Sequence, residues 1–223
     1  MMAVALFLSL KAMAQEEAAL VNQVKAKLDK VNDYQAEGRM IMDVSFIDAP
    51  PSNVTIYYKK PNKFKVKKAG GISILPKGGV SVNIGSLLAG NGAYDVVPRP
   101  DTTMGGKTLK VVKLLPQDEN SDVVLTKLYI DPSAVVVRKA TVTTRESGTY
   151  EIDLTYGKYS AWGLPDNVVF SFNTKDYKLP KGITFEYEKG GKKPATPKNK
   201  KGKVEIRYSS YVINKGVSDA VFN

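Results

Sequence analysis

Gly105-Gly106-Lys107-Thr108 has the ending of a phosphate-binding loop, in which backbone N–H groups cradle a phosphate and the lysine reaches it. That motif also needs a glycine five residues before the Gly-Lys pair, where this chain has Asp101, and a helix to follow, where it has a strand pattern. The stretch is expected to be a hairpin turn. Histidine and cysteine are both absent. This removes the usual general base near neutral pH, the commonest metal ligand, the thiol nucleophile and any disulfide. No Gly-x-Ser-x-Gly occurs, and a serine triad would lack its histidine. Asp118, Glu119 and Asp122 fall in one loop that could hold calcium loosely, but their spacing is not that of an EF-hand, and a solvated acidic loop is the plainer reading. No catalytic residue, cofactor or metal site is therefore assigned, and the chain does not read as an enzyme.

Charge is the stronger signal. The 223 residues carry a formal net charge of +11, which favours anionic surroundings: a membrane surface, an acidic ligand or partner, or nucleic acid. The lysines concentrate at 59–68 and 189–203. Both clusters read as solvated edges kept from sticking by charge, or as surfaces for anionic lipid or an anionic partner. Nucleic-acid binding would benefit from exposed aromatic residues between the lysines, and alternation sends Tyr58 and Phe64 inward; no nucleic-acid partner is expected.

The elements that carry these residues follow from periodicity. In 54–68, Val54, Ile56 and Tyr58 alternate with Thr55, Tyr57 and Lys59, and Phe64 and Val66 alternate with Lys63, Lys65 and Lys67. A period of two buries one face and wets the other, and Pro61-Asn62 breaks the run into a hairpin. Ala36, Gly38, Met40, Met42, Val44 and Phe46 share one face of a preceding strand. Leu20, Val21, Val24, Leu28 and Val31 form an apolar stripe on a helix over 16–31. Upstream, Val4–Leu10 followed by Ala12-Met13-Ala14 has the pattern of an export signal and its cleavage site, so 1–14 reads as a signal peptide and 15–223 as a single domain. Further strands are predicted at 72–75, 80–83, 94–97, 108–115, 123–130, 135–144, 149–159, 168–173, 183–188 and 203–212, with a short helix at 84–89 carrying Leu87 and Leu88. The segment 189–203 reads as a flexible basic loop. The expected fold is mainly β (α+β): a large curved antiparallel sheet forming an incomplete barrel, closed by the N-terminal helix and the short second helix.

The run 27–38 (Lys-Leu-Asp-Lys-Val-Asn-Asp-Tyr-Gln-Ala-Glu-Gly), followed by 56–66 (Ile-Tyr-Tyr-Lys-Lys-Pro-Asn-Lys-Phe-Lys-Val), resembles the periplasmic outer-membrane lipoprotein carrier family, LolA. Leu114-Leu115-Pro116 and Leu128-Tyr129-Ile130-Asp131 resemble later strands of the same family. The resemblance implies a soluble periplasmic carrier that holds acyl chains of lipoproteins or lipids in an apolar cavity and moves them toward the outer membrane. Implied partners are an inner-membrane donor and an outer-membrane acceptor, with peripheral membrane contact; a monomer is expected. Met40, Met42, Val44, Phe46, Ile56, Tyr58, Phe64 and Val66 would line the cavity, and Leu20, Val24, Leu28, Leu87 and Leu88 would form its lid. In the family an arginine before the hairpin proline latches the lid; Lys60 stands there, and lacks the planar fork of arginine. The other reading of the residues is a cell-envelope interaction protein with a filled core that binds anionic partners through its lysine faces.

Overall fold

The structure is a computed structural model that describes residues 2–43, 50–61, 63–68, 88, 93–146, 148–173 and 201–222. Helix α1 (Met2–Leu28) begins well before the predicted helix and ends three residues earlier, running unbroken through the stretch with the export pattern. Its end is a turn in which the Asp29 N–H donates to the Lys25 carbonyl and the Val31 N–H to the Leu28 carbonyl. Lys25 and Lys27 lie in the last turn, where their charge complements the negative end of the helix dipole. Val21 and Val24 are buried, and Leu20 and Leu28 half-buried, as the apolar stripe requires.

The strands are β1 (Asp33–Asp43), β2 (Ser52–Lys59), β3 (Lys63–Lys68), β4 (Tyr94–Met104), β5 (Lys107–Pro116), β6 (Val123–Asp131), β7 (Val136–Thr144), β8 (Gly148–Thr155), β9 (Asn167–Asn173) and β10 (Lys201–Ile213). They form one antiparallel sheet in the order β3-β2-β1-β10-β9-β8-β7-β6-β5-β4. Among the described residues, the first and last strands are neighbours in its interior, β3 and β4 are its edges, and the sheet does not close on itself. This is the incomplete barrel expected from the alternation. No helix among the described residues is long and apolar enough to cross a membrane.

Several boundaries differ from expectation. Strand β4 continues past Pro98 and Pro100, because an edge strand needs no donor on its outer side; the pairing with β5 shifts between Arg99 and Thr102. Strand β8 stops at Thr155, and the chain turns through a 3-10 turn (Ser160–Trp162) ended by Gly163 in the left-handed region at φ 69°. Residues 201–203, assigned to the basic loop, are strand: Lys201, Gly202 and Lys203 pair with Asn173, Phe172 and Ser171. Gly202 permits this, since a β-carbon there would stand 2.5 Å from Cζ of the Phe172 ring. The predicted strands at 72–75, 80–83 and 183–188 and the remainder of the basic loop lie outside the described residues. Of the predicted second helix only Leu88 is described; it is helical and buried.

Candidate apolar site beneath the helix

The β2–β3 hairpin places its alternate residues as the period of two demands. Ile56 pairs with Val66 and Tyr58 with Phe64, and on the other side Ile56 pairs with Ala36 of β1. Ile56, Tyr58, Val66 and Met40 are buried in one apolar cluster with Val31, Tyr34, Leu164, Ile206 and Tyr211. Met42 and Phe64 are partly buried against it. A second cluster joins Val21 and Val24 of α1 and Leu88 to the inward residues of β5–β9, with Leu20 and Leu28 packed against it. The predicted wall residues therefore assemble in the first cluster and the predicted lid residues in the second. Phe64, Val204 and Tyr208 pack against both and form the seam. Val44, Phe46 and Leu87 lie outside the described residues.

Three polar contacts tie the helix to the sheet. The Lys60 ammonium donates to the Asp29 carbonyl just past α1 and lies 3.8 Å from the Asp29 carboxylate, while its backbone N–H donates to the Asn32 carbonyl at 2.9 Å. The latch position thus fastens the hairpin to the end of α1. A single ammonium suffices there, because a helix C-terminus offers carbonyls along with its negative dipole end. Lys27 donates to the carbonyls of Ala134 (2.6 Å) and Ser160 (3.3 Å). Burial, and then repulsion from Lys30, lower its pKa. Near the other half of the helix, buried Glu17 sets Oε1 3.6 Å from Lys110 Nζ of β5, while its Oε2 is buried without a partner. Lys110 also meets Asp101 at 3.2 Å, and that hydrogen bond raises its pKa against the opposing effect of burial.

The first cluster holds more tyrosine than the alternation suggests. Tyr34 lies 5.3 Å, centroid to centroid, from both Tyr58 and Tyr211; Tyr211 stacks on Tyr208 at 4.9 Å and meets Tyr159 edge-on at 4.8 Å. Tyr208 and Tyr211 face the same side although three residues apart, because the register with β1 shifts at Glu37/Gly38 and β10 carries one extra residue there. Gly38 sits at the shift; a β-carbon on it would come within 2.6 Å of the Arg207 carbonyl oxygen. The Tyr211 hydroxyl donates to the Pro165 carbonyl at 2.7 Å, joining β10 to the connection after the 3-10 turn. Burial pushes the hydroxyls of Tyr34, Tyr208 and Tyr211 well above the usual phenol range, so they remain neutral donors.

A crevice too tight to hold a water molecule lies between α1 (Val24, Lys27, Leu28) and the opposing residues Val135–Val137, Tyr156 and Gly163. None of its lining comes from the predicted wall; Val24 and Leu28 come from the predicted lid. Beside it, the Asp131 carboxylate is buried. Burial opposes its charge, but hydrogen bonds from Ser133, Lys107, Arg138 and the Ala134 N–H outweigh that and hold the group far below the usual carboxylate range. The lysine of the Gly-Gly-Lys-Thr stretch is thus engaged in an internal ion pair, and Gly105 and Gly106, at φ 56° and 74°, make the β4–β5 hairpin turn. The carboxylates of Asp118 and Asp122 accept backbone N–H bonds from Asn120 and Glu146, so they shape their turns. Among the described residues, no three acidic side chains converge as a metal site would require.

No family model matches the sequence, and no curated protein matches it. Solved structures do match. A domain assigned to outer membrane lipoprotein sorting from Vibrio parahaemolyticus aligns over 92% of this chain and 95% of its own, with a TM-score of 0.58 and 11% identity. A DUF1329 family protein from Desulfovibrio piger aligns over 92% and 96%, at 0.56 and 12%. A LolA superfamily protein from Nitrosomonas europaea aligns over 91% and 97%, at 0.53 and 10%. At these identities the likeness is one of fold, and it extends over nearly the whole of each chain: this protein has a LolA-like fold.

Proposed function

We propose that the protein is an exported periplasmic carrier that binds the acyl chains of lipids or lipoproteins between α1 and the sheet and moves them toward the outer membrane. The observation that supports this most directly is the seam. Two apolar clusters meet at half-buried Phe64, Val204 and Tyr208 beneath a helix held to the sheet and its turns through polar contacts. Parting the clusters would expose hydrocarbon on both sides, and an acyl chain would cover it again at about 0.8 kcal/mol per buried methylene. The lipoprotein-sorting and LolA-superfamily neighbours support the same reading. Met40, Met42, Ile56, Tyr58, Phe64 and Val66 supply the wall, Leu20, Val24, Leu28 and Leu88 the cover, and Lys60 its latch. The reading includes no catalytic step.

Extraction of the purified protein into organic solvent, with mass spectrometry of the extract, tests for co-purified lipid, and displacement of a fluorescent fatty acid tests for a saturable site. Phe64→Asp is expected to abolish displacement, because a carboxylate at the seam cannot be paired there. Full uptake by Phe64→Asp and Met42→Asp would refute this site. Close packing of Met40, Ile56 and Val66 favours the second reading, a filled-core envelope protein that binds anionic partners through its lysines. A lipid-free extract without displacement would select that reading.

A further inference from the structure

We propose that the rim formed by the 3-10 turn Ser160–Trp162 and the C-terminal end of α1 docks onto an anionic lipid bilayer. Trp162 is the only tryptophan in the chain, and it stands 37% exposed at the end of that turn. An indole, with a large apolar body and one polar N–H, partitions to the level of lipid head groups. Cations lie on the neighbouring segments. Lys158 is exposed, with its ammonium 5.4 Å from the centre of the Tyr159 ring, and Lys30 is exposed near Lys27. Lys27 holds two carbonyls and, among the described residues, no carboxylate. Two acids lie nearby: Asp29, 3.8 Å from the Lys60 ammonium, and Asp166, whose carboxylate accepts from the Lys158 backbone N–H. Gly163, next to Trp162, packs against Leu28 and Lys27, so the turn and the helix end form one continuous surface. The crevice between α1 and the 135–137 segment is bordered by Lys27, Leu28 and Gly163 of this same surface. A rim that combines an interfacial aromatic residue, three lysines (Lys27, Lys30, Lys158) against two carboxylates (Asp29, Asp166) and an apolar helix end matches the chemistry of an anionic bilayer. Docking deepens the carrier reading, since it would bring the end of α1, whose Val24 and Leu28 belong to the proposed cover, against the membrane that gives or takes the acyl chain.

The test uses Trp162 emission and co-sedimentation of the full chain with vesicles of phosphatidylcholine, with or without phosphatidylglycerol. Vesicles containing phosphatidylglycerol are expected to shift the emission to the blue and to sediment the protein, while pure phosphatidylcholine does neither. High salt is expected to reverse both. Removing two lysines by Lys30→Gln/Lys158→Gln should weaken partitioning roughly thirtyfold, about fivefold for each charge near the surface. Trp162→Ala, followed by sedimentation, should weaken it further. These positions are exposed, and unchanged thermal midpoints would show that the variants are folded. Binding to anionic vesicles without an emission shift, or binding unaltered in the double-lysine variant, would overturn the proposal, as would no binding at all. Fatty-acid displacement without vesicles is read separately: its loss would refute the carrier site, whereas displacement that survives while vesicle binding fails would refute the docking rim alone.

Discussion

Replacing Lys110 with methionine removes the only cation that, among the described residues, lies against Glu17. The Glu17 side chain is 3% exposed, and its second oxygen already lacks a partner. Breaking a fully buried ion pair by removing one member costs about 3–5 kcal/mol, because the other charge is left uncompensated. Here the contact is long at 3.6 Å and Lys110 is 26% exposed, so about 2 kcal/mol is expected. Asp101, the other partner of Lys110, is 40% exposed and contributes less than about 1 kcal/mol of this. For a chain of this size, about 2 kcal/mol lowers the thermal midpoint by roughly 4–8 °C. Glu17→Leu should behave in the opposite way. It removes a desolvated carboxylate from the apolar stripe of α1 and is expected to be neutral or stabilising, and the double variant should recover most of the loss from Lys110→Met. Urea unfolding of the four proteins, at fixed pH and ionic strength, completes the cycle. If Glu17→Leu costs as much as Lys110→Met, the pair is a net attraction and the reasoning from desolvation is refuted.

Two further outcomes follow from the core and from the β6–β7 turn. The Asp131 carboxyl is held below its unfolded value, so its contribution to stability is fully present above about pH 4 and is lost as the pH falls below that value. Asp131→Asn should lower the urea midpoint at pH 7 and flatten its decline below about pH 4; an unchanged acid limb would show that other carboxylates control it. Gly202→Val should cost about 1–3 kcal/mol by driving a side chain into the Phe172 ring, with partial recovery in combination with Phe172→Ala. A stable Gly202→Val single variant would mean that β10 yields without cost.

Alternation made the hairpin legible from the sequence. Val54, Ile56, Tyr58 and Val66 are buried where a period of two puts them, and Met40 joins them through β1. The helical stripe placed Val21 and Val24 in the same way. Glu17 lies four residues before Val21, one turn along the same stripe, so its burial had a signal that its charge concealed. Tyr211 was hidden for another reason: the extra residue near Ser209 reverses parity within β10, and pairing with β1 alone reveals it. Lys27 gave no sign of its role, since its acceptors are carbonyls of residues more than a hundred positions away. The strand past Pro98 depends on β4 being an edge, which is a property of the whole sheet.

The adjacency of β1 and β10 has a consequence for the order of events as the chain is made. Tyr34 pairs with Ile213, far along the chain, and among the described residues the β1–β3 segment has no neighbour in the sheet but β10. A two- or three-stranded piece of this kind is marginal by itself, and closing so long a loop is slow. Joining of β1–β3 to the β4–β9 meander therefore waits for β10. Until β10 is in place, the outer edge of β1 is an open strand edge on which a second chain could pair.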